Sequence, residues 1–73
     1  MADFSKRIKE LRHGQGMTQA ALGEIIGVKR DSIYTYEKGL NYPEVRNLIT
    51  LADYFGVSLD YLVGRTDNPE INK

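Results

Sequence analysis

Glycine divides this chain at intervals that leave no room for a long helix. Glycines stand at 14, 16, 23, 27, 39, 56 and 64, and the stretches between them carry apolar residues at helical spacing. Phe4, Ile8 and Leu11 recur in this way from about Asp3 to Gln15, with Lys6, Arg7, Lys9 and Glu10 assigned to the other faces. Asp3 suits the N-cap of this segment and Gly16 the left-handed residue after it. Gly14, in the last turn, should weaken it by about 1 kcal/mol relative to alanine. Thr18 suits the cap of a second helix, Gln19 to Ile26, whose apolar face is Ala21, Leu22, Ile25 and Ile26. A third segment, Arg30 to Lys38, stops at Gly39. A fourth runs from about Glu44, just after Pro43, to Phe55, with Val45, Leu48, Ile49, Ala52 and Phe55 forming one stripe. Ser58 caps a last short helix, Leu59 to Val63, which Gly64 ends. No strand pattern survives. The fold class expected is all-α: five short helices around one core in residues 1–66, followed by a loose polar tail at 67–73.

The chain has 73 residues, enough for one domain. It has no cysteine, which removes disulfides and thiolate metal sites. No apolar stretch is long enough to span a bilayer, and no apolar segment follows the basic residues near the N-terminus as a signal peptide requires. Ten basic and ten acidic side chains cancel. Their distribution is uneven: residues 1–46 hold eight Lys/Arg against six Asp/Glu, and residues 47–73 hold two against four. Neutrality predicts modest non-specific attraction to nucleic acid, because phosphate contacts supply most of that binding.

Thr18 to Gly39 carries the functional signal. Two short helices separated by a tight glycine-containing turn make a helix-turn-helix, whose second helix can enter the major groove of DNA. Advancing about 100° per residue from Arg30 puts Ile33 and Tyr36 on one side. Asp31, Tyr34, Thr35 and Lys38 fall on the other, with Arg30 at the edge. The outward side is therefore long-armed and rich in groups that pair with base edges. Lys29 and Arg30 sit at the positive end of the helix dipole, where cations are locally unfavourable unless an anion such as a phosphate lies against them.

From about residue 4 to residue 66 the chain resembles the Cro/repressor, Xre-like family of helix-turn-helix regulators. The matching residues are Phe4-Ser5-x-Arg7-Ile8-Lys9-x-Leu11-Arg12, Gly16-Met17-Thr18-Gln19-x-x-Leu22-Gly23, Ile26-Gly27-Val28, Ile33-x-x-Tyr36-Glu37-Lys38-Gly39, Pro43, Leu48-x-x-Leu51-Ala52 and Phe55 through Gly64. The resemblance implies a lambda-repressor-like domain that binds a double-stranded DNA operator as a homodimer and probes its major groove with the third helix. It implies base reading by Arg30, Asp31, Tyr34 and Thr35. It implies phosphate binding by Thr18, Gln19, Lys29, Lys38, Asn41, Tyr42 and Arg46, and a structural ion pair between Arg12 and Glu37. It also implies a cytoplasmic, bacterial or phage-encoded protein with no cofactor, metal or small-molecule ligand. The sequence departs from the pattern at Lys29, where Ser or Thr is usual and would cap the third helix. It departs again at Gly23, where alanine is usual, and at Ala20 and Ala21, where acidic residues are usual. Asp31 either accepts from a cytosine amino group or orients Arg30, and the orienting role is favoured.

The remaining polar residues suggest no chemistry. His13, with no nucleophile near it in the pattern, is read as a surface residue rather than a general base. No strand precedes a glycine loop, so a nucleotide cradle is unsupported. Tyr54 lies opposite the apolar stripe and is either incidental or part of a dimer surface. Leu59, Tyr61 and Val63 are read as core, with dimerisation kept open. An enzyme is the least supported class. The competing reading is a protein-interaction adaptor or antitoxin-like module on the same scaffold, which a large exposed apolar patch away from the third helix would favour.

Overall fold

In a computed structural model, which describes residues 3–71, each helix begins where the sequence offers a cap or a change of backbone direction. The helices are α1 (Phe4–Gly14), α2 (Gln19–Ile26), α3 (Arg30–Glu37), α4 (Val45–Phe55) and α5 (Leu59–Leu62), and no strand occurs among the described residues. The Asp3 carboxylate accepts from the Lys6 N–H, the Thr18 hydroxyl from the Ala21 N–H, and the Ser58 hydroxyl from the Tyr61 N–H, each at 3.0 Å. These bonds satisfy amides that the first helical turn cannot pair internally. Thr18→Ala is therefore expected to cost about 1 kcal/mol, read as a lower urea midpoint with an unchanged slope. Lys38, Glu44 and Val63, expected inside helices, stand at their boundaries instead.

Gly27 ends α2 at φ 74°, where a Cβ would be strained, and its left-handed turn reverses the chain into the approach to α3. The core draws one fully buried residue from every helix: Ile8, Leu22, Ile33, Leu51 and Leu62. Phe4, Ile26, Tyr36, Ala52 and Val57 complete it. The α4 stripe is rotated from its expected position. Leu51 and Ala52 are buried and Leu48 and Phe55 half-buried, while Val45 and Ile49 are exposed. Leu51, held against the core, fixes the rotation of this short helix and turns positions 45 and 49 to one side. Leu59, expected in the core, is also exposed, and Tyr61 and Val63 are half-buried.

The stretch expected to hang loose is tied at two points. Arg7, assigned to a polar face of α1, is buried; it lies three residues after Phe4 and four before Leu11, within their stripe. Its guanidinium lies 3.7 Å from the centroid of the Tyr61 ring and pairs with Asp67 at 3.1 Å. The Ser58 N–H donates to the Pro69 carbonyl at 3.0 Å. A buried cation requires an anion, and Asp67 from the tail supplies it.

Candidate nucleic-acid interface

The seating of α3 depends on how closely the α2–α3 turn approaches α2. The Val28 N–H donates to the Gly23 carbonyl at 2.9 Å, and a Cβ on Gly23 would lie 2.6 Å from the Val28 carbonyl oxygen. The turn folds back over α2 at a point where any side chain would collide with backbone. From there α3 leaves Lys29 as its N-cap, and Lys29 makes no side-chain capping bond.

A bidentate ion pair locks α3 to α1. The Arg12 Nε and Nη2 groups donate to the two Glu37 carboxylate oxygens at 2.6 and 3.0 Å, and Arg12 Nη1 donates to the Met17 carbonyl at 2.7 Å. The amide of Gln19, first residue of α2, donates to Glu37 Oε1 at 3.2 Å, so one carboxylate gathers three helices. The two charged side chains are only 10% and 4% exposed. Burial alone would push the Glu37 carboxyl up. The hydrogen bonds from Arg12 and Gln19, with the nearby positive charge, outweigh it and hold the group below the usual carboxylate range. The same hydrogen bonding to Glu37 raises Arg12 above its ordinary value, against the opposing effect of burial. On the inner side of α3, burial and the Glu44 carboxylate push the Tyr36 phenol up.

With Ile33 and Tyr36 inside, the opposite side of α3 faces solvent. Arg30, Asp31 and Tyr34 are exposed there and Thr35 is half-buried. Arg30 Nη2 donates to Asp31 Oδ1 at 3.0 Å, and the Thr35 hydroxyl donates to the Ser32 carbonyl at 2.8 Å. Lys29, Lys38, Asn41, Tyr42 and Arg46 are all exposed. Tyr42 packs against the Phe4 ring at 5.7 Å, which anchors the loop between α3 and α4. Thr18 is exposed with its oxygen engaged as a cap, and Gln19 is half-buried.

Beside α3 lies an open concavity of about 430 Å³ lined by Lys9, Arg12, His13, Gln19, Tyr34, Glu37 and Lys38. Lys9 and His13 are absent from the set read from the sequence. Their spacing of four on α1, which puts two basic groups on one face, was the available signal. Among the described residues no group of three or more His, Cys, Asp or Glu side chains could hold a metal ion, and no helix is long and apolar enough to cross a membrane.

A helix-turn-helix family model matches residues 8–62, from the middle of α1 to the end of α5. The chain belongs to the helix-turn-helix family of transcriptional regulators. It is 34% identical over 67 residues to the uncharacterized HTH-type transcriptional regulator YobD of Bacillus subtilis (strain 168), covering 92% of this chain and 60% of that protein. It is 35% identical over 62 residues to the cryptic phage CTXphi transcriptional repressor RstR of Vibrio cholerae serotype O1, covering 85% of this chain and 55% of the repressor. Among solved structures, the P22 c2 repressor in complex with a synthetic operator superposes with a TM-score of 0.80 at 32% identity, covering 86% of this chain and 96% of that one. This helix-turn-helix chain spans 60, 30 and 59% of the length of the first three curated relatives it matches. The fold also occurs inside an epoxidase from S. wedmorenis (TM-score 0.73, 24% identity, 32% of that chain), a likeness of fold alone.

Proposed function

We propose that this chain binds double-stranded DNA sequence-specifically as a homodimer, occupying a roughly palindromic operator and so repressing transcription. One observation carries the reading: α3 buries Ile33 and Tyr36 while Arg30, Asp31 and Tyr34 stand in solvent on its far side. A helix presented in this way fits the major groove, with Arg30, Asp31, Tyr34 and Thr35 toward base edges. Thr18, Gln19, Lys29, Lys38, Asn41, Tyr42 and Arg46 serve the phosphates. Gln19 spends one amide hydrogen on Glu37 and keeps the other for DNA. Asp31 orients Arg30, to which it is bonded. The likeness to the operator-bound P22 c2 repressor supports the same reading.

Dimerisation follows from energetics. A monomer of zero net charge makes few phosphate contacts, and two copies spaced about one DNA turn apart double them. A second reading, a protein-interaction module, is favoured by one observation. An open, largely apolar concavity of about 340 Å³ is built from α4, α5 and the tail, with Ile49, Leu59 and Ile71 in its lining.

Arg30→Ala is expected to lose about 1–3 kcal/mol of operator affinity and to relax preference at one base position, measured by titrating a panel of single-position operator variants. Unchanged preference at every position would refute the assignment of the reading face. Lys38→Ala is expected to weaken all duplexes alike and to flatten the salt dependence by about one phosphate contact. A stable protein partner on purification with no duplex bound would favour the second reading over the first.

A further inference from the structure

Lys9 and His13 line the concavity beside α3 but take part neither in base reading nor in the core. We infer that this concavity seats one phosphate of the DNA backbone, with Lys9 and His13 of α1 joining Gln19 and Lys38 as its ligands; the inference rests on the DNA-binding reading above. Four basic side chains line the space, and the one carboxylate there, Glu37, has both oxygens engaged by Arg12 and Gln19. Among the described residues neither Lys9 nor Lys38 forms an ion pair. Two ammonium groups without a carboxylate partner therefore border one space, and Lys38 meets only the Tyr34 ring, 5.6 Å from its centroid.

His13 adds a directional donor. Its Nε2 lies 3.1 Å from Arg12 Nη2. A guanidinium can only donate, so the ring nitrogen accepts and the proton resides on Nδ1. That N–H remains to be given to another acceptor. A phosphodiester supplies what these groups lack: negative charge for Lys9 and Lys38, and acceptor oxygens for the His13 ring and the Gln19 amide. Tyr34 belongs both to the lining and to the exposed side of α3, so a phosphate held here would belong to backbone flanking the bases that α3 meets.

Salt dependence separates a phosphate contact from a structural role. The probe is a fluorescent duplex enriched from a random pool by the unaltered chain, titrated at several salt concentrations. Lys9→Ala is expected to reduce the slope of log affinity against log salt by about 0.9 and the affinity by about eightfold near 0.1 M salt. His13→Ala is expected to lower affinity by roughly twofold to tenfold, the worth of one hydrogen bond, with little change in slope. Arg65→Ala, whose side chain pairs with Asp60 and does not line the concavity, is expected to change neither. Unaltered slope and affinity in Lys9→Ala and His13→Ala, with the unaltered chain and Lys38→Ala behaving as proposed, would overturn this inference alone. No duplex bound by the unaltered chain would overturn it together with the DNA-binding reading. Inorganic phosphate shifting the His13 ring resonances while the duplex slopes stay unaltered would assign the seat to free phosphate and overturn the backbone assignment.

Discussion

Glu37→Ala is expected to remove about 3–5 kcal/mol of stability, because it leaves the Arg12 guanidinium buried without its anion. A domain of this size holds only on the order of 4–11 kcal/mol in total, so the variant stands near its unfolding limit. The mechanism is the desolvation of a cation whose partner side chain is 4% exposed, and not the loss of a surface attraction. The effect should depend on pH in a definite direction. The Glu37 carboxyl titrates lower in the folded chain than in the unfolded one, so as acid is added the unfolded chain takes up this proton first. The carboxylate's contribution is complete above the ordinary carboxylate range and is lost as pH falls through the depressed folded value. Urea unfolding of the unaltered chain and of Glu37→Ala from neutral pH into acid should therefore show a gap that narrows on acidification. A gap that is small at neutrality, or constant across the range, would contradict the role given to the pair.

Gly23→Val is expected to cost about 3 kcal/mol and to impair duplex binding beyond what its folded fraction accounts for. A Cβ at this position would lie 2.6 Å from the Val28 carbonyl oxygen, and backbone cannot swing aside as a flexible side chain does. Gly23→Ala tests the same contact with less bulk. Alanine should gain about 1 kcal/mol of helix propensity and lose about 1–3 to the collision, so the net runs from about zero to a loss of about 2 kcal/mol. Val28 leads directly into the α3 cap, so relief of the collision displaces α3 itself. The measurement is a thermal melt of both variants beside a duplex titration below their transitions. Either variant more stable than the original, with binding intact, would show that the close approach is dispensable.

Local chemistry made most of the helix boundaries legible. Asp3, Thr18 and Ser58 were readable as caps, and the glycines after each segment as stops, because these signals act within four residues. The outward side of α3 was readable because nine residues of period 3.6 have only one apolar side. What escaped the sequence depends on long-range packing. The burial of Arg7 follows from Tyr61 and Asp67, which lie more than fifty residues away. The rotation of α4, which exposes Val45 and Ile49, is set by where Leu51 meets the core. The family pattern places alanine where Gly23 stands, and only the 2.6 Å approach to Val28 gives a reason for the smaller residue. Lys9 and His13 were visible as a spaced pair, but their concavity exists only once α1, α2 and α3 are assembled.

The account depends most on α3 discriminating among DNA sequences. Affinity should be measured for a duplex enriched from a random pool and for a scrambled duplex of equal length and composition, at matched salt. The account predicts a preference of at least about a thousandfold for the enriched duplex, with affinity falling as salt rises. Equal affinity for both duplexes, or binding that ignores salt, would contradict it.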